Sequence, residues 1–336
     1  MTNNILTSID DIQERVGPLA GARDLKVIDF LDGHARHWLS FATFAFLAFD
    51  QEHELKLTVA GGTSGFIDTT DDHTLRIPIS HVDAPSPAVP GTPFGSLILV
   101  PGMRETLRIN GRVSALQDDT ILVTVHECYL HCAKALMRSA FWDANEHVDG
   151  PESVDAFVQI SPFMALATVN AEGHVDVSPK GDPAGSLLHY SGGDELWYSD
   201  RPGNRRIDSF RNIMERASVS LLALIPGCDH MLSVRGSCEI RVDEDKLASF
   251  EVQGKRPKLV TRVSIEESQI VTSKALSASS MWPVQSIPEI NAAEIFKSHF
   301  KQSKERGLGV SMTRVVASLP GVIERGLATD YKNNLY

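Results

Sequence analysis

The chain is short of cysteine: Cys128, Cys132, Cys228 and Cys238 are the only four in 336 residues, and none form a CxxC pair. Cys128 and Cys132 could be read with His126 and His131 as metal ligands. No second ligand pair accompanies them, so buried thiols of a reducing compartment are the favoured reading and no metal site is expected. Long apolar runs are also missing. The longest, Phe41 to Phe49, contains Thr43 and is far too short to span a bilayer. Met1-Thr2-Asn3-Asn4 is polar and soon acidic, without the basic-then-apolar pattern of a signal peptide. No GxGxxG occurs, and no strand–helix alternation supports a parallel nucleotide-binding sheet. Positive charge is in deficit, with 32 Lys and Arg against 43 Asp and Glu and a net charge of −11. That balance repels nucleic acid and anionic membrane, so a local basic cluster would have a specific anion to hold. The expected protein is cytoplasmic, with neither nucleic acid nor membrane as partner.

What is present is a repeat. The hydrophobic share of 42% supports ordinary cores, and the length suits two domains. Leu55-Lys56-Leu57-Thr58 through Gly65 aligns with Val175-Asp176-Val177-Ser178 through Gly185, an offset of 120 (175 − 55). Pro101-Gly102 recurs as Pro226-Gly227, an offset of 125 (226 − 101). Lys134-Ala135-Leu136 with Ser139 and Trp142 recurs as Lys274-Ala275-Leu276 with Ser279 and Trp282, an offset of 140 (274 − 134). Collinear matches with slowly growing offsets indicate tandem duplication with loop insertions.

Apolar runs around polar turns predict hairpins in each copy: Phe44–Phe49 with Glu54–Val59, and Met164–Val169 with His174–Ser178. Further hairpins are predicted around Asp71-Asp72 and Gly192-Gly193-Asp194. Strands follow on both sides of each Pro-Gly turn, and a last strand closes each copy. Six or so antiparallel strands per copy predict a mainly β fold with accessory helices: two small barrels or sandwiches. We divide the chain into a helical lead-in (1–30), a first repeat (31–150), a second repeat (151–283) and a helical tail (284–336). Ile290, Ala293, Ile295, Phe296 and Phe300 form one helical stripe of the tail, and Met312, Val315, Val316 and Leu319 another.

The copies have lost opposite residues. In the second, Leu196-Trp197-Tyr198-Ser199 runs into Asp200-Arg201-Pro202-Gly203-Asn204-Arg205-Arg206 and then a helix whose buried face is Ile207, Phe210, Ile213 and Met214. Two arginines oppose the dipole in a first helical turn, unless an anion sits on the free N–H groups there. Ser178 and Lys180 could complete such a cradle; a solvated basic turn paired with Asp208 or Glu215 is the competing reading. The first copy has Ala60 in place of Lys180 and a proline-rich loop, Ala84 to Pro90, in place of the helix. Conversely, the first copy's Glu105, Arg108, Arg112 and Arg138 become His230, Ser233, Ser237 and Ala278 in the second.

Asp176-Val177-Ser178-Pro179-Lys180-Gly181-Asp182-Pro183, Asp200 through Ser209, Glu105 through Arg112 and His131-Cys132-Ala133-Lys134-Ala135-Leu136 resemble the pyridoxamine 5′-phosphate oxidase-related, FMN-binding split-barrel family. The resemblance covers roughly residues 30–283. It implies two tandem FMN-binding split β-barrels, antiparallel and Greek-key-like, with C-terminal helices. It places the FMN phosphate on Ser178, Lys180, Asn204, Arg205 and Arg206, with Tyr198 and Ser199 beside the ribityl chain. The first copy would supply the partner's share: Arg108, Lys134 and Arg138, with Trp142 as an apolar wall. Family members are ordinarily homodimers, so the resemblance makes this chain a fused pseudo-dimer with one composite site, itself monomeric or dimerising further. It implies an FMN-dependent oxidoreductase acting on a small molecule, with NAD(P)H as a candidate donor. Catalytic residues stay open: Lys134 or Arg138 could tune the flavin ring, or either could pair with Glu105 or Glu127. The Arg-x-His tail pattern of the vitamin B6 enzyme is absent from Glu324 to Asp330, so that activity is disfavoured. The alternatives are a haem-binding or haem-degrading barrel using His131 or His299, and a non-catalytic flavin-binding sensor or carrier.

Overall fold

The computed structural model describes residues 4–17, 26–84, 88–132, 134–202, 207–304, 321–333 and 335–336. Helix α1 (Ile9–Val16) starts on a Ser8 side chain that accepts the Asp11 N–H, and it stops at Gly17, whose φ of 94° no ordinary helix residue adopts. Helix α2 (Gly33–Phe41) follows, within the segment assigned to the first repeat.

Two seven-stranded antiparallel sheets come next. The first holds β1 (Phe44–Gln51), β2 (Glu54–Gly61), β3 (Asp68–Thr69), β4 (Thr74–Pro78), β5 (Pro93–Leu99), β6 (Glu105–Gln117) and β7 (Thr120–Cys132), in the order β2-β1-β5-β6-β7-β4-β3. The second holds β8 (Phe163–Val169), β9 (Val175–Gly181), β10 (Leu188–Tyr190), β11 (Glu195–Ser199), β12 (Ser218–Leu224), β13 (His230–Arg241) and β14 (Val260–Thr272), in the order β9-β8-β12-β13-β14-β11-β10. Each strand of one sheet has its counterpart seven places on in the other, so the duplication seen in the sequence is a duplication of topology. The turns differ in chemistry. Glu52 and His53 both take positive φ in the two-residue β1–β2 turn, whereas the β8–β9 turn relies on Gly173 at φ 80°.

Strands β1 and β8 are buried on both faces because each serves two cores. Ala45, Leu47 and Phe49 face the first barrel, while Phe44, Phe46 and Ala48 face a seam between the repeats. Likewise Met164 and Leu166 face the second barrel, while Phe163, Ala165 and Ala167 join the seam. The period of two along a strand thus welds the repeats together.

Two short helices cross between repeats. Helix α3 (Lys134–Arg138), from the end of the first repeat, lies on β9 of the second; later, Lys274–Ser279 from the second lies on β2 of the first. Both contacts need glycine. A Cβ on Gly181 would stand 2.1 Å from the Ala135 carbonyl oxygen, and one on Gly61 the same 2.1 Å from that of Ala275. Between these two helices in the chain come α4 (Val154–Ile160), α5 (Asp208–Glu215) and α6 (Glu244–Ser249), making Lys274–Ser279 α7. The Pro202–Arg206 turn was expected to lead into a helix with Ile207, Phe210, Ile213 and Met214 inward; α5 begins at Asp208, with the first three buried and Met214 only partly so.

In the tail, α8 (Ala292–Gln302) packs Ile295 and Phe296 into the first barrel's core, as the stripe predicted. The second stripe, Met312 to Leu319, lies outside the described residues. The polar segment from Asp330 belongs to the last helix, which spans Val322–Asn333. No helix of the described residues is long and apolar enough to cross a membrane.

The tail is fastened at Asp32. Its carboxylate caps α2 through the Ala35 N–H at 2.9 Å and accepts Ser298 Oγ at 3.1 Å and Gln302 Nε2 at 2.8 Å, with His299 Nε2 3.5 Å away. Burial disfavours the Asp32 anion, but the His299, Ala35 and Gln302 donors outweigh it and hold its pKa below the usual carboxylate range. A depressed carboxylate stabilises the fold above its unfolded pKa of about 3.9, and that contribution is lost as pH falls below it. Asp32→Asn is therefore expected to cost about 1–3 kcal/mol in urea denaturation at pH 7. The difference from wild type should begin to shrink below about pH 4 and keep shrinking as pH falls towards the folded pKa; a constant difference would refute the charge's role.

Candidate functional site

A cavity of about 740 Å³ opens between the repeats, inside the size range of small-molecule and cofactor sites. The first repeat supplies Arg108, His131, Lys134, Ala135 and Arg138, and the second supplies Ser178 to Asp182, Ser199 to Pro202, Ile207 to Phe210 and Lys255 to Lys258. Among the described residues, eight lysines and arginines line it against three aspartates, a surplus of 8 − 3 = 5 positive charges in a chain of net charge −11. Serine hydroxyls and the apolar side chains of Ala135, Leu187, Ile207 and Phe210 complete the wall. Such a lining suits a ligand with an anionic end and a flat apolar part.

The predicted site residues divide into three groups. Lys134, Arg138, Ser178, Lys180, Ser199 and Arg108 come together in the cavity, although the sequence separates Arg108 from Ser199 by 91 positions (199 − 108). Ser178 Oγ bridges Asp176 Oδ2 at 2.8 Å and Ser209 Oγ at 3.0 Å. Lys180 Nζ stands 3.4 Å from Asp200 Oδ1 and over the rings of Tyr198 and Phe210, at 5.8 and 5.6 Å. Helix α3 opens with the buried Lys134.

Two predicted residues do not reach the cavity. Tyr198 has no exposed surface and lies in the second barrel's core; alternation along β11 sends Ser199 to the cavity and its neighbour inward. Trp142 packs on the seam beside Phe141 and donates Nε1 to the Met103 carbonyl at 2.7 Å, so it walls the seam rather than the site. The third group, Asn204, Arg205 and Arg206, lies outside the described residues. Pro202 and Ile207, on either side of that segment, both line the cavity.

Arg108 has a role the sequence did not disclose. Its guanidinium donates to Asp176 Oδ1 at 2.6 Å and Ser178 Oγ at 3.2 Å, crossing from β6 to β9, and to Tyr129 Oη at 3.3 Å. It ties the seam and orients the cavity serine. Of the carboxylates expected beside Lys134 and Arg138, Glu105 accepts Tyr331 Oη at 2.6 Å, and Glu127 accepts Asn110 Nδ2 at 2.9 Å. Arg138 instead donates to the Leu335 and Pro202 carbonyls, both at 2.5 Å, and its guanidinium faces the Tyr336 ring at 5.7 Å. Burial lowers the Arg138 pKa against the pull of Asp182 and Asp200. A guanidinium so placed still carries its charge at neutral pH.

Three cavity features were missed. Arg201 Nε donates to the buried Asp182 Oδ2 at 2.7 Å. Burial raises the Asp182 pKa, and Arg201 only partly offsets it. Tyr336 comes from the tail and lies over Arg201 as well as Arg138, at 5.8 Å. Lys255, Arg256 and Lys258 stand at the mouth. Three cations within four residues of an acidic chain were the available signal.

The pseudo-equivalent position on the other side of the seam holds a carboxylate of the chain itself. Asp83, from the loop that stands in place of the cradle, accepts the Ser273 hydroxyl and the Ala275 N–H at 3.1 Å at the start of α7. The chain's own carboxylate thus meets the helix N-terminus there. The haem candidates also separate: His131 lines the cavity, whereas His299 is fully buried beside Asp32. Among the described residues one set of potential metal donors lies close together, the consecutive Cys228, Asp229 and His230. Cys128, Cys228 and Cys238 are free and buried.

The sequence profile for pyridoxamine 5′-phosphate oxidase matches residues 151–272. Solved structures similar to parts of the chain include HupZ of Group A Streptococcus, with 18% identity over 37% of this chain and 96% of that one and a TM-score of 0.30. Another is a Clostridium acetobutylicum protein related to general stress protein 26, of the pyridoxinephosphate oxidase family, with 13% identity over 35% and 84% and a TM-score of 0.27. A third is HutZ, the heme storage protein of Vibrio cholerae, with 12% identity over 35% and 91% and a TM-score of 0.25. No curated protein matches.

Proposed function

We propose that this chain, a member of the pyridoxamine 5′-phosphate oxidase-like split-barrel family by the match over residues 151–272, is an FMN-binding flavoprotein, an oxidoreductase acting on a small molecule at one composite site. The observation that carries the reading is the cavity's surplus of positive charge, drawn from both repeats and set beside serine hydroxyls and apolar wall. FMN has matching parts: a dianionic phosphate, a polyol chain and a flat apolar ring. Ser178 and Lys180, with Asn204, Arg205 and Arg206, would hold the phosphate by charge-assisted hydrogen bonds. Ser199 would face the polyol, and Lys134 and Arg138 the ring.

A bound flavin supplies hydride or electron transfer, and the protein sets its potential and its access. Lys134, buried at the start of α3, would put a positive charge near the ring, where reduction brings a negative one, and so would favour the reduced cofactor. Arg138 joins the Leu335 and Pro202 carbonyls in the cavity wall, which would limit water at a bound ring. Arg108 is a positioning residue: it holds Ser178 through the Asp176 network.

The purified protein should show a two-band yellow flavin spectrum at one FMN per chain. Two FMN per chain, or none, would sink the composite site. Lys134→Ala should keep the flavin but lower its midpoint potential by roughly 20–50 mV, about 1–2 kcal/mol for a two-electron couple; an unchanged potential removes Lys134 from the ring. His131 in the cavity wall keeps haem as the second reading, and a Soret band would select it. Faster flavin reduction by NAD(P)H in the presence of substrate would separate an enzyme from a carrier.

A further inference from the structure

The loop Lys255-Arg256-Pro257-Lys258 is built rather than loose. Val252 and Lys255 exchange backbone hydrogen bonds at 3.1 and 2.9 Å around Gln253 and Gly254, both at positive φ. Its carbonyl side is fixed from within: Arg201 donates to the Phe250 oxygen at 2.7 Å and the Lys255 oxygen at 3.5 Å, while the buried Asp182 holds Arg201. Pro257 is buried and the three cations beside it are exposed. Arg256 pairs with Glu251 at 2.7 Å, but among the described residues no carboxylate lies within ion-pair distance of Lys255 or Lys258.

This loop is also where two cavities meet. Arg256, Pro257 and Lys258 line the main cavity and an adjoining one of about 380 Å³, whose other walls include Arg15, Leu247 and Glu244. A ligand spanning both would be elongated, with negative charge at the loop and its other end in the main cavity.

We propose that Lys255, Arg256 and Lys258 seat the diphosphate of a second ligand, a nicotinamide dinucleotide whose nicotinamide end enters the main cavity. The assignment rests on the flavin reading, which requires an electron donor, and it is distinct from the cradle that holds FMN. A preformed cluster of cations outside the cradle lets the two anions bind together without sharing counter-charges.

The test uses the FMN-saturated full chain and titration calorimetry with ADP and with inorganic pyrophosphate as probes. Wild type is expected to bind ADP, and Lys255→Ala with Arg256→Ala and Lys258→Ala should weaken it at least tenfold while FMN content stays at the wild-type level. Affinity should fall steeply with salt in wild type and shallowly in the triple variant. Pyrophosphate binding as tight as ADP would show a bare anion site and overturn the dinucleotide assignment. So would an ADP affinity unchanged in the triple variant, or loss of FMN from it, since that loss would make the loop part of the flavin cradle. If wild type binds ADP but no FMN, the flavin reading fails, and with it the role of the loop as a donor's seat.

Discussion

Replacing Arg205 and Arg206 together by alanine is expected to weaken FMN binding by roughly 10²–10⁴-fold. Hydrogen bonds to charged groups contribute about 1.5–3 kcal/mol each, so losing two costs about 3–6 kcal/mol, and each 1.4 kcal/mol is a factor of ten in Kd. The placement of these arginines rests on the sequence: they stand between Pro202 and Ile207, both in the cavity wall, and ahead of α5, at whose start an anion would meet free N–H groups. Fluorescence titration of the apoprotein with FMN reads the effect directly. The urea midpoint of the apo variant is expected to match that of wild type, so that the loss reads as binding and not as unfolding. An FMN affinity within threefold of wild type would move the phosphate elsewhere, with Lys255 to Lys258 the first place to look.

The fold was largely legible because its signals are local. Each hairpin carries its own turn and its own apolar alternation, so the strand pairs were found within a few residues of their bounds. The repeat added a second reading of every element. The site was half legible for the same reason: losses confined to one copy marked Arg108, Arg138 and Lys180, because a second copy shows what the barrel alone can do without. What stayed hidden depends on contacts between distant segments. Nothing near Tyr198 says which of Tyr198 and Ser199 faces the barrel core. Arg108 could be seen to matter, but not that Asp176 engages it across the seam. Tyr336 reaches the cavity only because α8 and the last helix carry the tail back over the first repeat. The loop Lys255 to Lys258 has no counterpart in the first copy, so no one-sided loss marks it.

Arg108 therefore decides between a seam and a cofactor role, and the expected effect is large. Arg108→Ala removes the partner of Asp176, whose carboxylate is then left buried with Ser178 as its remaining side-chain donor. Breaking a buried pair from one side costs about 3–5 kcal/mol, because the remaining charge has lost its compensation. Denaturant titration of the apoprotein should show that loss as a lower midpoint without a change in slope. Arg108→Met combined with Asp176→Leu removes both charges at similar volume, and such replacements are commonly neutral or stabilising. The double variant should thus recover most of the lost stability. Its FMN affinity then isolates the second role. If Arg108 only positions Ser178, the double variant should bind FMN within about tenfold of wild type, since Ser209 still holds that hydroxyl at 3.0 Å. If the guanidinium contacts the flavin, stability will return but affinity will not. A stable Arg108→Ala variant would refute the seam assignment itself, and with it the reason one charged residue persists in the first repeat after its counterpart became Ser233.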